Sequence, residues 1–306
     1  MGRSTDRTSR LAAPPGAAAP AFRCGLVTLI GRANVGKSSL INAMVGQKVS
    51  IVSDKPQTTR GPVRAVLTRP GSQVVFVDTP GLHKPRTLLG QRLNRSAIGS
   101  LDGVDVVALV VDGRSGVGGG DRFVLEKLAH HHVCVVNKID GMPRGAVLAQ
   151  LQAVADWGFE EYFAVSARTG AGLDDLIGAL AHRVPAGPAL YPDQVNEPAG
   201  TGARDTGEQE WVAELVREQL LALTRDELPY SIACQVTEWE WPLVRCEILV
   251  ERESQKGIVI GRGGSMLKHV GSAVRAQLAP GAYLGLSVRV SRDWQQKPET
   301  LRRLGL

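Results

Sequence analysis

The feature that most constrains this chain is the run Gly-Arg-Ala-Asn-Val-Gly-Lys-Ser at positions 31–38. It matches the pattern G-x-x-x-x-G-K-[ST], and it lies between an apolar stretch at 26–30 and a helix-like segment at 38–45. A strand, a glycine loop and a helix cradle phosphate, because the loop points backbone N–H groups inward and the helix N-terminus adds partial positive charge. We therefore expect an α/β phosphate site in which Lys37 neutralises phosphate charge and Ser38 offers a hydroxyl to Mg²⁺.

Three further motifs follow apolar strands in the order that a guanine-nucleotide site requires. In Asp-Thr-Pro-Gly at 78–81 the carboxylate can hold Mg²⁺, and the N–H of Gly81 can meet a terminal phosphate. In Asn-Lys-Ile-Asp at 137–140, Asp140 can accept from both the N1–H and the 2-amino group of guanine. Adenine lacks that donor pair, so this motif favours GTP over ATP. Ser-Ala-Arg at 166–168 resembles the loop whose backbone N–H supports the guanine O6.

The segment Pro-Gln-Thr-Thr-Arg at 56–60 lies where a nucleotide-dependent switch is expected, and we call it the switch segment. Thr58 or Thr59 would give a hydroxyl to Mg²⁺ and a backbone N–H to the γ-phosphate, and the sequence leaves this choice open. Leu82 stands where many GTPases carry a glutamine, and His83 is expected to point to solvent. We therefore expect slow hydrolysis, near or below the rough range of 10⁻⁴ to 10⁻² s⁻¹ for unaided switches.

The phosphate loop also suggests a compensating cation, since the carbonyl oxygen of Asn34 could hold K⁺. The residues expected to bind the nucleotide are Gly31, Arg32, Ala33, Asn34, Val35, Gly36, Lys37, Ser38, Asp78, Thr79, Pro80, Gly81, Leu82, Asn137, Lys138, Ile139, Asp140, Ser166, Ala167 and Arg168. Those expected to serve catalysis are Lys37, Ser38, Thr58, Thr59, Asp78 and Gly81. The expected metal ligands are Ser38, Thr58, Thr59 and Asp78.

Positive charge is concentrated at the C-terminal end of the chain. Residues 245–306 contain eleven Lys and Arg but five Asp and Glu, whereas the other 244 residues hold twenty-five of each. This asymmetry favours a polyanionic partner, and charge alone leaves RNA, DNA and an anionic membrane surface open.

Apolar periodicity after residue 209 predicts the element order α-β-β-α-α-β, with Gly-Arg-Gly-Gly at 261–264 between the two later helices. That order is typical of a type II KH domain, in which a G-x-x-G loop approaches the backbone of single-stranded RNA. The residues expected to contact RNA are Lys256, Gly261, Arg262, Gly263, Gly264 and Lys268.

The 306 residues allow two domains. We expect a disordered tail at 1–22, a GTPase domain at 23–184, a proline- and glycine-rich linker at 185–209 and a KH domain at 210–306. The first domain should be an α/β fold, a mostly parallel sheet with helices on both faces, and the second a smaller α+β fold. The four cysteines form no C-x-x-C pair, and no apolar run reaches the ~20 residues that span a bilayer. A protein of the reducing cytoplasm is therefore expected. We also expect a monomer.

With these motifs in place, the chain resembles the Era family of bacterial ribosome-assembly GTPases over about residues 24–306. The stretches that carry the resemblance are 46–50 running to 56–60, 78–83, 226–229, 251–256 running into 261–264, and 301–305. Departures are Ala33 in place of a usual proline, Gly61 in place of a bulkier residue, and the sequence around 195–210.

The resemblance implies a GTP-hydrolysing switch whose KH domain binds the single-stranded 3′ end of 16S ribosomal RNA. It also implies assistance in the maturation of the 30S subunit and loose association with the inner face of the cell membrane. The alternative is a GTP-dependent switch at an anionic membrane surface. A GTPase of tRNA modification would need an additional cofactor domain, for which the chain has no room.

Overall fold

The computed structural model describes residues 21–85, 87–130, 132–195 and 202–306. Nearly all of the predicted N-terminal tail at 1–22, and residues 196–201 of the predicted linker, lie outside the described residues.

A mostly parallel sheet forms the centre of the N-terminal half. Its strands are β1 (Arg23–Ile30), β2 (Val63–Arg69), β3 (Ser72–Asp78), β4 (Val106–Asp112), β5 (Val133–Asn137), β6 (Glu161–Ala164) and β7 (Gly202–Arg204). In space they follow the order β6-β5-β4-β1-β3-β2-β7, with β2 antiparallel to both of its neighbours. The central strands are near-continuous valine-rich runs because both faces of the sheet are covered.

Helices cover both faces of this sheet, as the predicted fold class requires. They are α1 (Lys37–Val45), α2 (Leu88–Gly99), α3 (Gly119–Leu125), α4 (Arg144–Ala155) and α5 (Leu173–Arg183). Buried residues of α1 and α5 join one core cluster, and buried residues of α2, α3 and α4 join the cluster on the opposite face. Because β1, β3, β5 and β6 run in parallel, the loops after them meet at one edge of the sheet.

The C-terminal half contains the element order that the sequence predicts for a KH domain, with two short helices in addition, one after the first helix and one after the last strand. Its elements are α6 (Glu208–Leu223), α7 (Leu228–Ser231), β8 (Ala233–Glu240), β9 (Leu243–Val250), α8 (Glu253–Ile260), α9 (Ser265–Arg275), β10 (Tyr283–Val290) and α10 (Pro298–Arg303). Strand β9 lies in the middle of the sheet, antiparallel to β8 and parallel to β10. The fold class is therefore confirmed.

The stretch predicted as a linker, 185–209, carries regular structure in its described parts. Residues 202–204 form β7, which pairs with β2, and α6 begins at Glu208, two residues before the predicted start of the KH domain. Tyr191 donates its backbone N–H to Gln73 Oε1 at 2.9 Å. The stretch lies along the edge of the first sheet because its backbone groups find hydrogen-bond partners there.

Apolar contacts join the two halves directly. Leu89 and Leu93 of α2 belong to one buried cluster with Leu249 of β9 and Trp294. Trp294 is fully buried, and its Nε1–H donates to the carbonyl of Ser231 at 2.8 Å. Helix α2, which follows the Asp-x-x-Gly motif, is thus part of the contact with the C-terminal half.

Candidate nucleotide site and RNA-facing loop

The phosphate loop turns tightly between β1 and α1. Gly36, the last residue before α1, has φ of 94°, and a Cβ there would lie 2.5 Å from Nδ2 of Asn137. Only glycine fits both the left-handed backbone and this close approach. The loop therefore folds as the motif predicts, against the base-reading loop after β5.

Lys37 is buried at the start of α1, and its ammonium group lies against the phosphate loop. Nζ donates to the carbonyls of Gly31 at 3.3 Å and Arg32 at 3.1 Å. Burial lowers the pKa of Lys37 to about 8, while the negative charge of Asp78 opposes that shift. A bound phosphate would compete with these two carbonyls for the ammonium group and would favour its charged form.

Two hydroxyls and one carboxylate converge beside the phosphate loop. Ser38 Oγ donates to Asp78 Oδ2 at 2.7 Å, and Thr59 Oγ1 lies 3.0 Å from Ser38 Oγ and 3.2 Å from Asp78 Oδ2. Asp78 Oδ1 is buried and has no hydrogen-bond partner among the described residues. Burial raises the pKa of Asp78, and the charge of Lys37 opposes the shift. Hard oxygen donors beside an unpartnered carboxylate oxygen fit Mg²⁺.

The structure separates the two switch threonines that the sequence could not tell apart. Thr59 lies in the oxygen cluster, the group formed by Ser38, Thr59 and Asp78, whereas the Thr58 hydroxyl donates to the carbonyl of Lys55 at 2.6 Å. The position of Thr58 therefore does not match its expected role as a catalytic and metal-binding residue. The local turn at 55–58 uses its side chain instead.

The prediction that His83, just after the Asp-x-x-Gly motif, points to solvent is wrong. Its Nε2 lies 2.9 Å from Nε2 of Gln57, and its Nδ1 lies 3.1 Å from the carbonyl of Gly81. The tautomer protonated on Nδ1 satisfies both contacts, since Nε2 then accepts from the Gln57 amide. Leu82 is buried, and its N–H donates to Gly31 at 3.3 Å. The Gln57 side chain of the switch segment thus contacts the side chain of His83, two residues after the Asp-x-x-Gly motif.

Several residues predicted to bind the nucleotide make contacts that hold loops together. Asn137 donates from Nδ2 to the carbonyl of Val35 at 3.0 Å and accepts at Oδ1 from the N–H of Ala167 at 3.2 Å. Lys138 pairs with Asp112 at 2.7 Å and also donates to the carbonyl of Asn34. These contacts connect the phosphate loop with the two base-reading loops.

The side-chain hydroxyl of Thr79 likewise donates to the backbone carbonyl of Leu29 at 3.0 Å. This contact ties the Asp-x-x-Gly motif to β1.

Asp140 is the carboxylate best placed to read a base. Ser166 Oγ donates to its Oδ1 at 2.9 Å, and Arg168 and Arg114 both pair with its Oδ2. Burial opposes ionisation, but the Ser166 hydrogen bond and the two positive charges hold the pKa of Asp140 below its ordinary value. Arg114, two residues beyond β4, was not predicted, because no motif singles it out.

The Gly-Arg-Gly-Gly loop separates α8 from α9 as predicted. Gly261 has φ of 75°, and a Cβ there would lie 2.7 Å from the backbone N of Met266. Arg262 and Lys268 are exposed, and Lys256 is half-buried. Ile258, on the preceding helix, is 54% exposed. Glycine backbone, cationic groups and an exposed apolar side chain therefore lie together, which suits phosphates and unstacked bases.

Two observations concern other kinds of site. Within the described ranges, no helix has the length and apolarity needed to cross a bilayer. The same part of the chain contains no group of three or more His, Cys, Asp and Glu side chains arranged to hold a metal. The oxygen cluster is consistent with this result because two of its three members are hydroxyls.

Family models match both halves of the chain. A model described as 50S ribosome-binding GTPase matches residues 26–138, and a KH domain model matches residues 227–295. The first match includes the phosphate loop and the Asp-x-x-Gly motif, and the second includes the Gly-Arg-Gly-Gly loop.

Whole-length relatives agree with these matches. The chain is 44% identical over 302 residues to GTPase Era of Mycobacterium avium (strain 104), covering 93% of this chain and 99% of the relative. It is also 44% identical over 303 residues, with the same coverage, to GTPase Era of Mycobacterium tuberculosis (strain ATCC 25177 / H37Ra).

Solved structures of similar proteins superimpose over both halves. An Era variant from Aquifex aeolicus bound to GDP and AlF4⁻ matches with a TM-score of 0.86 at 33% identity, covering 93% of this chain and 99% of the other. Era in complex with MgGDPNP and nucleotides 1506–1542 of 16S ribosomal RNA matches with a TM-score of 0.86 at 34% identity and the same coverage.

Proposed function

The chain belongs to the Era family of GTPases, and on that basis we propose that it is a GTP-hydrolysing switch that binds the 3′ end of 16S ribosomal RNA and assists 30S assembly. One observation carries the proposal: the oxygen cluster of Ser38, Thr59 and Asp78 and the exposed loop at 261–264 occur in one chain. The first is a site for a nucleoside triphosphate with Mg²⁺. The second is a site for an RNA backbone.

In the nucleotide site, the side chains divide the work between phosphate and base. Lys37 would exchange its two loop carbonyls for phosphate oxygens, and Ser38, Thr59 and Asp78 would hold Mg²⁺. The bound ion would supply positive charge against the phosphate charge that develops during transfer. Asp140 accepts from the N1–H and 2-amino group of guanine in place of its arginine contacts. The N–H of Gly81 meets the terminal phosphate.

For the second cation, we propose K⁺ at Asn34. Its Nδ2 donates to the carbonyl of Asp54 at 2.5 Å, which fixes the amide next to the switch segment. The Oδ1 atom is then the acceptor that would hold the ion. Hydrolysis should be several-fold faster in K⁺ than in Na⁺ buffer at equal ionic strength, and equal rates would remove K⁺ from the proposal.

The RNA-facing residues that we propose are Lys256, Gly261, Arg262, Gly263, Gly264 and Lys268. Exposed Arg262 supports charge-assisted contacts to phosphate, and exposed Ile258 supports apolar contact with a base. The partner named for the similar Era complex, 16S nucleotides 1506–1542, fits a loop of this chemistry. A G-x-x-G loop binds single strands better than duplexes, because unstacked bases must enter the adjacent groove.

A membrane-surface switch is the less favoured reading. The excess positive charge coincides with KH elements, and the similar structure holds RNA. We propose a cytoplasmic protein that acts on the 30S subunit, with loose contact with the inner face of the cell membrane as a secondary property.

Filter binding separates the two readings. The full chain should retain single-stranded RNA of the 16S 3′ end at least tenfold better than a shuffled RNA of equal length. It should show weaker retention of phosphatidylglycerol vesicles under the same salt. Preferential vesicle binding with no RNA preference would reverse the assignment.

A further inference from the structure

Two buried arginines flank the threonine that lies in the oxygen cluster. Arg217, on α6 of the C-terminal half, is 1% exposed, and its Nη2 donates to the backbone carbonyl of Thr58. Arg60, which directly follows Thr59, is 6% exposed, and its Nη1 donates to the carbonyl of Ile232 at 2.6 Å. Thr59 is thus held on both sides by contacts that cross between the halves.

The Arg217 guanidinium is paired as well as buried. Its Nε and Nη2 donate to the carboxylate of Glu214 at 2.8 Å and 2.5 Å. Burial alone would lower the pKa of Arg217, but the Glu214 carboxylate raises it above its ordinary value. A buried charge of this kind is costly unless it is paired and hydrogen-bonded. The contact with the Thr58 carbonyl is part of that compensation.

Helix α6 contacts the first half at a second place along the same stretch. Glu218, one position after Arg217, accepts from the backbone N–H of Val52 at 3.0 Å and pairs with Lys48 Nζ at 2.5 Å. Helix α6 therefore contacts the chain both before and within the switch segment.

Peptide geometry carries the effect of Arg217 to Thr59. The carbonyl of Thr58 and the N–H of Thr59 belong to one planar, trans peptide, so they point in opposite directions. When Arg217 fixes the carbonyl towards α6, it also fixes the N–H on the opposite side. The Thr59 hydroxyl, 3.0 Å from Ser38 Oγ, lies in the oxygen cluster.

We propose that Arg217 is a positioning residue for GTP hydrolysis, which holds the Thr58 carbonyl and thereby orients the Thr59 N–H and hydroxyl towards the γ-phosphate and Mg²⁺. This inference rests on the proposed role of Thr59. It makes hydrolysis dependent on a side chain of the C-terminal half, which touches neither nucleotide nor metal.

A double-mutant cycle on the full chain tests this coupling. Arg217→Met should lower kcat for GTP about tenfold, as expected for the loss of one charge-assisted hydrogen bond. It should raise the half-saturating Mg²⁺ concentration for hydrolysis, and the Kd for GDP should change less than about twofold, because the γ-phosphate contact is absent with GDP. In a Thr59→Ala background, Arg217→Met should lower kcat by a clearly smaller factor than in the wild type, because only the backbone N–H of residue 59 is left to orient.

Two further variants keep the result interpretable. Arg217→Lys retains the buried charge and a group that donates N–H hydrogen bonds, so it should recover part of the lost kcat. Arg225→Met removes an exposed arginine just beyond α6 and should leave kcat and the Mg²⁺ dependence unchanged. Multiplicative losses in the cycle, or an unaffected Arg217→Met, would overturn the positioning role alone. An unaffected Thr59→Ala would overturn the assigned role of Thr59 and this inference with it.

Discussion

The hydroxyl of Ser38 donates to the carboxylate of Asp78 at 2.7 Å, although the two residues are 40 positions apart in the chain. Ser38 lies in the first turn of α1, and Asp78 is the last residue of β3, the parallel neighbour of β1. Parallel pairing brings the two carboxyl ends together, so the fold alone places the hydroxyl beside the carboxylate.

Thr59 and Thr58 form a matched pair for testing the metal site. Thr59→Ala should lower kcat for GTP about tenfold or more, because it removes a hydroxyl from the oxygen cluster. Thr58→Ala removes only a contact to the Lys55 carbonyl and should change kcat less than about twofold. Steady-state GTP turnover at saturating Mg²⁺ decides between them, and equal effects would contradict the assignment.

Asp140 should determine base preference. In Asp140→Asn the amide cannot accept from both guanine donors, so GTP affinity should fall about a hundredfold or more. Xanthine carries a carbonyl in place of the 2-amino group, so an asparagine N–H has an acceptor there. Competition binding should show a shift from GTP towards XTP. A variant with wild-type GTP affinity would show that Asp140 does not read the base.

Lys37 should make nucleotide binding depend on pH. Its pKa is lowered to about 8 by burial, with Asp78 opposing, whereas bound phosphate favours the charged form. Binding therefore takes up a proton once the pH exceeds that value, and GDP affinity should fall as the pH rises, by up to about tenfold per unit. The profile should be flat at lower pH.

Lys37→Arg is the control for this pH profile, because a guanidinium stays charged throughout the range. It should bind GDP with an affinity that varies little between about pH 7 and pH 9, whatever its absolute value. If the GDP affinity of the wild type varies as little with pH as that of the variant, Lys37 does not make nucleotide binding depend on pH.

Gly263 allows a test of the RNA-facing loop without a change in shape. Its φ of 58° is tolerated by Asp and Asn, and a Cβ added at this position would meet no atom within 4 Å. Gly263→Asp should bind 3′ rRNA about fivefold more weakly than Gly263→Asn, since one added negative charge near phosphate costs about 1 kcal/mol in water. GTP binding should be equal in both variants. Equal RNA affinities would place the RNA backbone elsewhere.

The sequence predicted the structural context of each motif where that context is local. The phosphate loop, Asp78, Asp140 and the loop at 261–264 each follow a strand or helix in the predicted context. Glycine conformations and strand ends are local properties, so short sequence patterns predict them. The fold class follows from the order of these elements.

Contacts between residues that are far apart in the chain could not be predicted from the sequence. The choice between Thr58 and Thr59 depends on the orientation of one peptide, which Arg217 holds from 159 positions away. His83 was expected in solvent because its partner, Gln57, lies 26 positions earlier. Arg114 reaches Asp140 from a loop after another strand. No periodicity records which side chain meets which across a sheet edge.

Calorimetry on the purified full chain tests the central claim most directly. Titration with GDP and Mg²⁺, and then with single-stranded RNA of the 16S 3′ end, should give two separate saturable heats, each at one ligand per chain. An equal titration with ADP should give no heat above dilution. Failure to bind either GDP or the RNA, or equal binding of ADP and GDP, would contradict a guanine-nucleotide switch coupled to an RNA-binding domain.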